Sequence, residues 1–455
     1  MTSRLAELEK QLPPGELVLD EATRREHGGD KWFAARTPDA VVLAKSAATV
    51  SAVLKFASLH RIPVTPRGAG YGYVGGAVPS EGGIALSVAG MNRIKEINSA
   101  DFVAVVEPGV LTAKLQAAVE KKGLFYPPDP ASRADCSIGG NIATNAGGPR
   151  CLKYGVTRDY VLGLEVVLAN GEIVRLGSRT HKNKTGFDLH RLFVGSEGML
   201  GIVTEATLKL LPLPPYRAAL SVGFKDMKSA VRAMSAVLAA GYLPCALEMA
   251  DAFTLAAAQK RTGSNLLSGC NAHLIIELDG QAAAVRTDLR SVATLLAKFS
   301  PLFTTKALGA GACEKIWQLR REFSYALRDT GLTKLNEDIV VPRGRLEDLF
   351  RFAVRLQKTH GLPVACFGHA GDGNIHVNVM LDRSDPGAQE RADAALDDLF
   401  KQVLAWGGVI TGEHGIGLAK KKWWPEAADA GVQGLHRTIK NALDPEGILN
   451  PGKFL

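Results

Sequence analysis

The chain has 455 residues, of which 46% are hydrophobic and 22% charged, with a formal net charge of +8. This length exceeds that of a typical single core and predicts two domains. No apolar run approaches the ~20 residues needed to cross a bilayer, so we expect no transmembrane segment. The first residues mix acids with bases and lack the apolar stretch of a targeting peptide, which favours a cytoplasmic protein.

The cysteines and the basic residues argue against two classes of protein. Six cysteines are scattered without any C-x-x-C spacing, so the sequence indicates neither a zinc ribbon nor an iron–sulfur cluster. Apart from Lys420–Lys422, no block of lysines or arginines stands out, which disfavours nucleic-acid binding. An anionic cofactor or substrate could use part of the positive charge.

The first large signal along the chain is a glycine-rich loop. Residues 48–61 have the pattern of an amphipathic helix, and IPVTPRG then indicates a strand that enters PRGAGYGYVGGA, residues 66–77. Glycines at this density expose successive backbone N–H groups, which can form a nest for phosphate oxygens. The spacing Gly70 to Gly75 fits a dinucleotide fingerprint, but no helix pattern follows Val78, so a plain Rossmann fold is disfavoured.

Two further loop segments follow, one rich in proline and one rich in glycine. PPDPAS, residues 127–132, has prolines that fix an extended turn, and SIGGNIATNAGG, residues 137–148, is again rich in glycine. Two glycine-rich loops with a proline-rich turn between them are not expected of flexible linkers alone, because each glycine adds conformational entropy to the unfolded chain.

The chain beyond residue 148 indicates a hairpin and then a second domain of different architecture. LGLEVVLANGEIVRLG predicts a hairpin that turns at Asn170–Gly171, and the Pro-rich run at residues 211–215 marks a domain boundary. Beyond it, strand patterns alternate with helices predicted at about 226–240, 282–299 and 313–329. This order predicts an antiparallel sheet covered by helices, an α+β domain.

The most informative motifs are GHAGDGNIHVN, residues 368–378, and GEHGIG, residues 412–417. Two imidazoles and a carboxylate are the usual protein ligands of a catalytic zinc or manganese ion, and a fourth group is then available to move a proton. A strand from Asn374 to Asn378 would put Asn374, His376 and Asn378 on one face, whereas the glycines around the EH pair favour an irregular loop. These residues alone are compatible with a metallohydrolase or with another metal enzyme. The groups concerned are His369, His376, Glu413 and His414.

Taken together, the motifs resemble the vanillyl-alcohol oxidase and p-cresol methylhydroxylase group of flavoproteins. Within it the chain is most similar to the branch of D-lactate dehydrogenase, the glycolate oxidase large subunit and D-2-hydroxyglutarate dehydrogenase. The likeness covers roughly residues 30–455, and its motifs occur in the family's order: PRG…GGA, PPDPAS, GGNIATNAGG, GSEGMLGIVTEA, GHAGDGNIHVN, GEHGIG and NPGK.

The resemblance implies an α+β protein with a two-subdomain FAD-binding domain and an antiparallel-sheet cap. The expected division is an N-terminal segment (1–34), the FAD-binding domain (35–214), the cap with the substrate and metal site (215–415), and a C-terminal segment (416–455) that returns to the FAD domain. No histidine or cysteine occupies an attachment position, so we expect FAD to be bound non-covalently. Tyr71 and Ala69 depart from the family pattern, which puts local packing near the pyrophosphate in question.

The resemblance also implies which residues bind FAD. The first loop would hold the pyrophosphate, the second and third segments would line the dinucleotide and the flavin ring, and the region around Glu197 would complete the pocket. The matching residues are Arg67, Gly68, Ala69, Gly70, Tyr71, Gly72, Gly75, Gly76, Pro128, Asp129, Ser132, Gly139, Gly140, Asn141, Thr144, Asn145, Gly147, Gly148, Glu197, Gly201, Ile202, Val203 and Asn450.

In the metal-dependent branch, the residues matching His369, His376 and Glu413 bind a divalent ion, Zn or Mn, and the residue matching His414 acts as base. Residues matching Arg320 and Lys334 hold substrate carboxylates, with Arg321 as a neighbouring alternative to Arg320, and Asn378 completes the catalytic set. The implied reaction is oxidation of a D-2-hydroxy acid, of the D-lactate, D-2-hydroxyglutarate or glycolate class, to the 2-oxo acid with hydride transfer to the flavin.

Three alternatives stay open at this point. The chain can be the FAD subunit of a glycolate oxidase complex, which predicts an iron–sulfur partner subunit; it can be a metallohydrolase; or it can be a non-catalytic flavin-binding module. As a dehydrogenase it needs a separate electron acceptor, a quinone, a cytochrome or an electron-transfer protein. We expect no nucleic-acid partner. The expected location is the cytoplasm, with peripheral attachment at the inner face of the membrane as an alternative. A homodimer is one candidate assembly.

Overall fold

The computed structural model describes residues 2–263 and 267–455. The chain divides into two compact units. Unit 1 consists of residues 1–147, 156–213 and 413–455, and unit 2 consists of residues 148–155 and 214–412. Within the described residues, every helix is too short or too polar to span a membrane.

The described residues contain eighteen strands, which are numbered in chain order. They are β1 Leu17–Val18, β2 Ala40–Leu43, β3 Val64–Arg67, β4 Ile84–Ser87, β5 Ile94–Asn98, β6 Val103–Val106, β7 Leu124–Phe125, β8 Val161–Val167, β9 Ile173–Gly177, β10 Ile202–Lys209, β11 Leu211–Pro212, β12 Tyr216–Phe224, β13 Ala246–Asp251, β14 Ala272–Gly280, β15 Phe303–Leu308, β16 Thr333–Val340, β17 Val364–His369 and β18 Asn374–Leu381.

The α-helices are numbered in the same way. They are α1 Thr2–Glu9, α2 Glu21–Glu26, α3 Ala47–His60, α4 Thr112–Glu120, α5 Ile138–Thr144, α6 Cys151–Tyr154, α7 Leu189–Phe193, α8 Met227–Ala239, α9 Ala252–Thr262, α10 Ala282–Ala297, α11 Ala310–Arg328, α12 Leu346–His360, α13 Ala388–Ala405, α14 Trp424–Ala427 and α15 Ala430–Leu443.

In its described residues, unit 1 contains two larger sheets and one short strand pair. The first sheet has the order β1-β2-β4-β3, in which β4 is parallel to both β2 and β3. The second has the order β5-β6-β10-β8-β9 and is antiparallel throughout. Ser46 caps the start of helix α3 because its hydroxyl accepts from Thr49 N, and the helix buries Leu54 in a core that also contains Leu449 from the end of the chain.

Unit 2 is built on a seven-stranded antiparallel sheet with the order β15-β12-β14-β13-β17-β18-β16. Helices α9 and α11 cover one face, where Leu255 and Phe323 pack with Ala250 and Phe367 of the sheet. Because side chains alternate along a strand, the register of the sheet decides which polar groups share that face.

The structure confirms the predicted α+β class, the antiparallel sheet of the second half and the hairpin at Asn170–Gly171. The predicted helices are present within three residues of their expected ends. One stretch differs from the prediction, because residues 138–144 of the glycine-rich segment 137–148 form α5. Ser137 caps this helix, and Asn141 donates to Thr112 Oγ1 at 2.7 Å, so capping and tertiary contacts outweigh the poor helix propensity of glycine.

Candidate functional site

The glycine-rich loop of residues 66–77 begins at the carboxyl end of β3. Gly70 and Gly75 have φ of +69° and +73°, a region that other residues adopt only with strain. A Cβ on Gly76 would meet nothing within 4 Å, so open space adjoins this part of the loop. The expected phosphate-binding glycines therefore form a tightly turned loop with an open side.

Arg67 supports this loop from within unit 1. Its Nη1 donates to Gly29 O, and the Asp30 carboxylate accepts from Trp32 N at 2.9 Å. Burial raises the pKa of Asp30 and lowers that of Arg67, while the attraction between the two charges opposes both shifts. Tyr71, the departure from the family pattern, has the Lys31 ammonium 4.6 Å from its ring centre.

Ser137 joins the first and third cofactor segments. Its hydroxyl accepts from Ala69 N at 3.3 Å and from Gly140 N at 3.4 Å. A Cβ on Gly68 would lie 2.5 Å from the same oxygen, so Gly68 must be small. Sequence patterns did not single out Ser137; its place before an I-G-G run, typical of a helix N-cap, was the available signal.

The second segment is held to unit 1 by Gln116 of α4. This side chain donates to Pro128 O at 3.0 Å and to Tyr126 O at 3.3 Å. Asp129 and Ser132 lie on the loop that these bonds fix. The residues expected from the third segment lie on α5 or directly after it in unit 1, except Gly148, which begins the short segment of unit 2: Gly139, Gly140, Asn141, Thr144, Asn145 and Gly147.

Glu197 is a buried carboxylate with two backbone donors. Oε1 accepts from Ile416 N at 2.7 Å, and Oε2 accepts from Gly417 N at 2.9 Å. Burial raises its pKa, and these two hydrogen bonds oppose the rise. We expected this carboxylate at the cofactor; in the structure both of its oxygens hold the end of the GEHGIG loop.

Asn450 connects the same region with the first loop. Its Nδ2 donates to Glu197 O at 2.7 Å and to Gly76 O at 3.0 Å, while its Oδ1 is buried and accepts no hydrogen bond from the described residues. Gly201 lies just before β10, where a Cβ would meet Val166 Cγ1 at 2.6 Å. Ile202 and Val203 are the first residues of β10.

In unit 2, the sheet register brings the predicted substrate and metal residues onto one face. His369 is opposite Asn374 and Phe367 is opposite His376 in the β17–β18 pair, while Asp338 of β16 is opposite His376. The His369 and His376 ring centres are 5.5 Å apart, and both residues are buried. The prediction that Asn374, His376 and Asn378 share a face is confirmed.

Glu413 follows Gly412 directly, and Gly412 is fixed to the edge of this sheet. Gly412 N donates to Asp338 Oδ2 at 2.9 Å, and a Cβ on Gly412 would lie 2.5 Å from Asn374 Nδ2. One ligand atom from each of His369, His376 and Glu413 lies within 4.8 Å of the other two. Three such groups at these separations suit a divalent ion.

The GEHGIG segment is an irregular loop, as predicted. His414 follows Glu413, and its ring centre is 5.3 Å from that of Tyr73. The loop is held before the EH pair by Asp338 and after it by Glu197. Sequence patterns identified the EH pair but not Asp338, which lies in the strand run NEDIVV. Its even spacing to Asn336 and Lys334 puts all three side chains on one face of the strand, and this spacing was the available signal.

Arg320 and Lys334 lie at the same face. Arg320 Nε donates to Glu248 Oε2 at 2.6 Å, and Glu248 Oε1 lies 2.5 Å from His369 Nδ1. Burial alone would raise the pKa of Glu248, but the attraction to His369 in its protonated form and to Arg320, with the hydrogen bonds to both, lowers it to about 2. The predictions missed Glu248; the acid inside the apolar strand CALEMAD was its only signal.

Lys334 of β16 donates to Ser324 Oγ of α11 at 2.8 Å. Burial, with a smaller contribution from Arg328, lowers its pKa to about 8. Asn378 Nδ2 donates to Ala365 O at 3.0 Å and to His376 O at 3.1 Å, which orients its Oδ1 as a buried acceptor without a partner in the described residues. Arg321, the neighbouring alternative to Arg320, pairs instead with Glu314 on the exposed side of α11.

Two family models match the chain. The model described as "FAD binding domain" matches residues 38–177, and the one described as "FAD linked oxidases, C-terminal domain" matches residues 213–454. The chain belongs to the FAD-linked oxidases. This assignment confirms the resemblance expected from the motifs and makes the protein an oxidoreductase that binds FAD.

Curated relatives of this FAD-linked oxidase extend over nearly the whole chain. Glycolate oxidase subunit GlcD of Bacillus subtilis (strain 168) is 40% identical over 418 residues, which cover 92% of this chain and 89% of the relative. D-lactate dehydrogenase of Anaerostipes hadrus is 33% identical and covers 100% of this chain and 98% of its own.

Among solved structures, p-cresol methylhydroxylase with substrate bound superposes on this FAD-linked oxidase with a TM-score of 0.81 at 20% identity, covering 100% of this chain and 96% of the other. This likeness confirms the predicted fold.

Proposed function

We propose that this FAD-linked oxidase oxidises a D-2-hydroxy acid, of the D-lactate, D-2-hydroxyglutarate or glycolate class, to the 2-oxo acid. The observation that carries the proposal is the cluster of His369, His376 and Glu413, whose ligand atoms lie within 4.8 Å of one another. The similarity to a glycolate oxidase subunit and a D-lactate dehydrogenase supports the substrate class. The family assignment favours this function over a metallohydrolase, which would need no FAD-binding domain.

The residues of unit 1 fit FAD. The turned loop of residues 66–77 has open space at Gly76, and the buried Asn450 Oδ1 beside Gly76 is an acceptor still to be satisfied. FAD, when bound, supplies the two-electron acceptor. We propose non-covalent binding by the residues named from the family pattern, with Glu197 acting through the GEHGIG loop.

The donor set of two histidines and one glutamate fits a divalent ion such as zinc or manganese. His369, His376 and Glu413 would hold it, which leaves coordination positions for a substrate. The ion would supply positive charge next to the substrate hydroxyl and so favour loss of its proton.

Side chains of the protein remove the hydroxyl proton and bind the substrate. His414, adjacent to Glu413, takes the hydroxyl proton as a neutral imidazole. Arg320 and Lys334 pair with substrate carboxylates, since a planar guanidinium matches a carboxylate in a bidentate fashion. Asn378, whose amide nitrogen is committed to two backbone carbonyls, offers its oxygen as an acceptor on the same face. These groups orient the substrate and remove its proton.

Anaerobic reduction of the purified protein tests the proposal. D-lactate, D-2-hydroxyglutarate and glycolate are mixed separately with the protein without oxygen, and absorbance near the flavin maximum is followed. At least one of them should bleach the flavin, and the L-enantiomers of the two chiral acids should not. A yellow protein that none of the three reduces would overturn the substrate class without affecting the family assignment.

The assembly is part of the same proposal. We propose that the enzyme passes electrons to a separate acceptor, which is a quinone, a cytochrome or an electron-transfer protein. The second candidate assembly is a glycolate oxidase complex with an iron–sulfur partner, favoured by the similarity to glycolate oxidase subunits. A cytoplasmic or peripheral membrane location and the boundaries 1–34, 35–214, 215–415 and 416–455 are proposed with it. Co-purification of an iron–sulfur protein with the tagged chain distinguishes the two assemblies.

A further inference from the structure

Glu248 is a buried carboxylate at the centre of the polar face of unit 2. Its side chain is 1% exposed, and it lies on β13, opposite Ile275 of β14. Oε1 lies 2.5 Å from His369 Nδ1, and Oε2 accepts from Arg320 Nε at 2.6 Å. One side chain therefore contacts both an expected metal ligand and the expected carboxylate-binding arginine.

The contact with His369 determines which ring nitrogen can bind an ion. A carboxylate paired with an arginine is an acceptor, so the imidazole must present Nδ1–H to it. The lone pair available to a metal is then on Nε2. Carboxylates that accept from the second nitrogen of a metal-binding histidine hold the ring orientation and increase its basicity.

The contact with Arg320 orients the guanidinium. Glu248 takes Nε–H, one of the five N–H donors of the group, so the others are available for a ligand. The guanidinium carbon also lies 4.8 Å from the ring centre of Phe367 and 5.6 Å from that of Phe323. Held by an ion pair and two aromatic rings, the guanidinium has little freedom to turn away.

We propose that Glu248 is a positioning residue that holds His369 for the metal and Arg320 for the substrate carboxylate. The inference rests on the function proposed above. It adds that metal binding and substrate binding depend on one carboxylate, although Glu248 binds neither ligand itself. Replacing Glu248 should therefore impair both metal binding and substrate binding. Replacing a residue that only balances a buried charge should impair folding alone.

The test compares E248Q with the wild type and with E314Q. Glu314 is a matched control, because it also pairs with an arginine of α11, Arg321, but is 42% exposed. Chelator-treated FAD-loaded protein is titrated with Zn²⁺ and with Mn²⁺ in a calorimeter. Loss of a carboxylate behind a metal-binding histidine typically weakens metal affinity by about 10–100-fold. We expect this loss in E248Q and no change in E314Q.

Steady-state kinetics at saturating metal provide the second measurement. The KM of E248Q for the 2-hydroxy acid should rise at least about tenfold, because Arg320 loses its anchor. E314Q should keep the wild-type KM. Thermal melting and FAD content of each variant report on folding.

Histidine nitrogen shifts in the zinc-loaded wild type test the inference without a substitution at Glu248. The H369Q spectrum identifies the His369 signals, and we expect hydrogen on Nδ1 and zinc on Nε2. Zinc on Nδ1, or wild-type metal affinity in folded E248Q, would overturn the role of Glu248 and leave the proposed function standing. Wild-type protein that binds neither ion would instead remove the metal from the proposed function and the inference with it.

Discussion

Three buried carboxylates set the positions of the expected chemical groups. Glu248 holds His369 and Arg320, Asp338 holds Gly412, and Glu197 holds Ile416 and Gly417. Each is buried and uses its oxygens for hydrogen bonds within the protein, which offsets the desolvation of the charge. At the scale of single residues, these acids position groups that would contact the ligands.

Replacing His414 by alanine tests the base. Proton transfer by a positioned side chain contributes about 10²–10⁴-fold to a rate, so anaerobic flavin reduction in H414A should slow by that factor. The variant should retain FAD, because the expected FAD residues lie elsewhere. The rate is measured by stopped-flow absorbance, with the exposed His181→Ala as control. Reduction at the wild-type rate would refute the base assignment.

Lys334 should impose a pH dependence on substrate capture. Its pKa is lowered to about 8, and only the protonated form attracts a carboxylate. kcat/KM should therefore fall above pH 8, by up to about tenfold per pH unit. K334M should have a lower kcat/KM that does not fall above pH 8. K315M, at an exposed position on α11, should keep the wild-type pH profile. A wild-type profile that is flat to pH 10 would contradict this role.

At the scale of elements, the GEHGIG loop is ordered from both ends. Asp338 accepts from Gly412 N within unit 2, and Glu197 accepts from Ile416 N and Gly417 N within unit 1. An irregular loop has no internal ladder of hydrogen bonds, so these contacts replace it. The positions of Glu413 and His414 follow from these anchors.

Substituting Glu197 by glutamine should loosen the second anchor. The amide presents an NH₂ group to one of two backbone donors, which leaves a buried N–H without an acceptor at about 1–3 kcal/mol. We expect a lower thermal midpoint and slower flavin reduction in E197Q. Glu21→Gln, which removes an exposed ion pair with Arg25 in the same unit, is the control. Unchanged melting and unchanged reduction in E197Q would show that the anchor is dispensable.

The contact between two cofactor segments can be tested at Gly68. A Cβ there would lie 2.5 Å from Ser137 Oγ, so G68A must displace the hydroxyl that caps α5 and binds Ala69 N. FAD content after purification should fall at least several-fold. G434A, where a Cβ meets nothing within 4 Å, should keep full occupancy. The flavin-to-protein absorbance ratio measures both, and full occupancy in G68A would contradict the expectation.

At the scale of the whole molecule, the two cofactors have separate binding residues. The expected FAD residues lie in unit 1 apart from Gly148, whereas His369 and His376 lie in unit 2. The two ligands should therefore be removable one at a time.

A chelator should remove activity and leave the flavin in place. Dialysis against a strong chelator is expected to reduce turnover by at least about tenfold while the flavin spectrum persists, and Zn²⁺ or Mn²⁺ should restore turnover. Denaturation should then release FAD into the filtrate, since no covalent link is expected. Full activity in protein shown by elemental analysis to be metal-free would exclude a metal from the reaction.

Much of the fold and part of the site could be predicted from local patterns. The strand of His376, the helix at residues 47–60 and the irregular EH loop each depend on neighbours within a few positions. The helix at Ile138–Thr144 was missed because its support from Ser137 and Thr112 outweighs two unfavourable glycines.

The order of amino acids alone predicted an FAD-linked oxidoreductase, because the glycine loops and the histidine motif occur together in the order of that family. It does not settle which acids support the site. Glu248 lies 121 residues from His369 and 72 from Arg320 in the chain. The pairing of β13 with β17 brings it to His369, and the packing of α11 on the seven-stranded sheet brings it to Arg320. Contacts over such separations depend on strand register and helix packing, which no local pattern encodes.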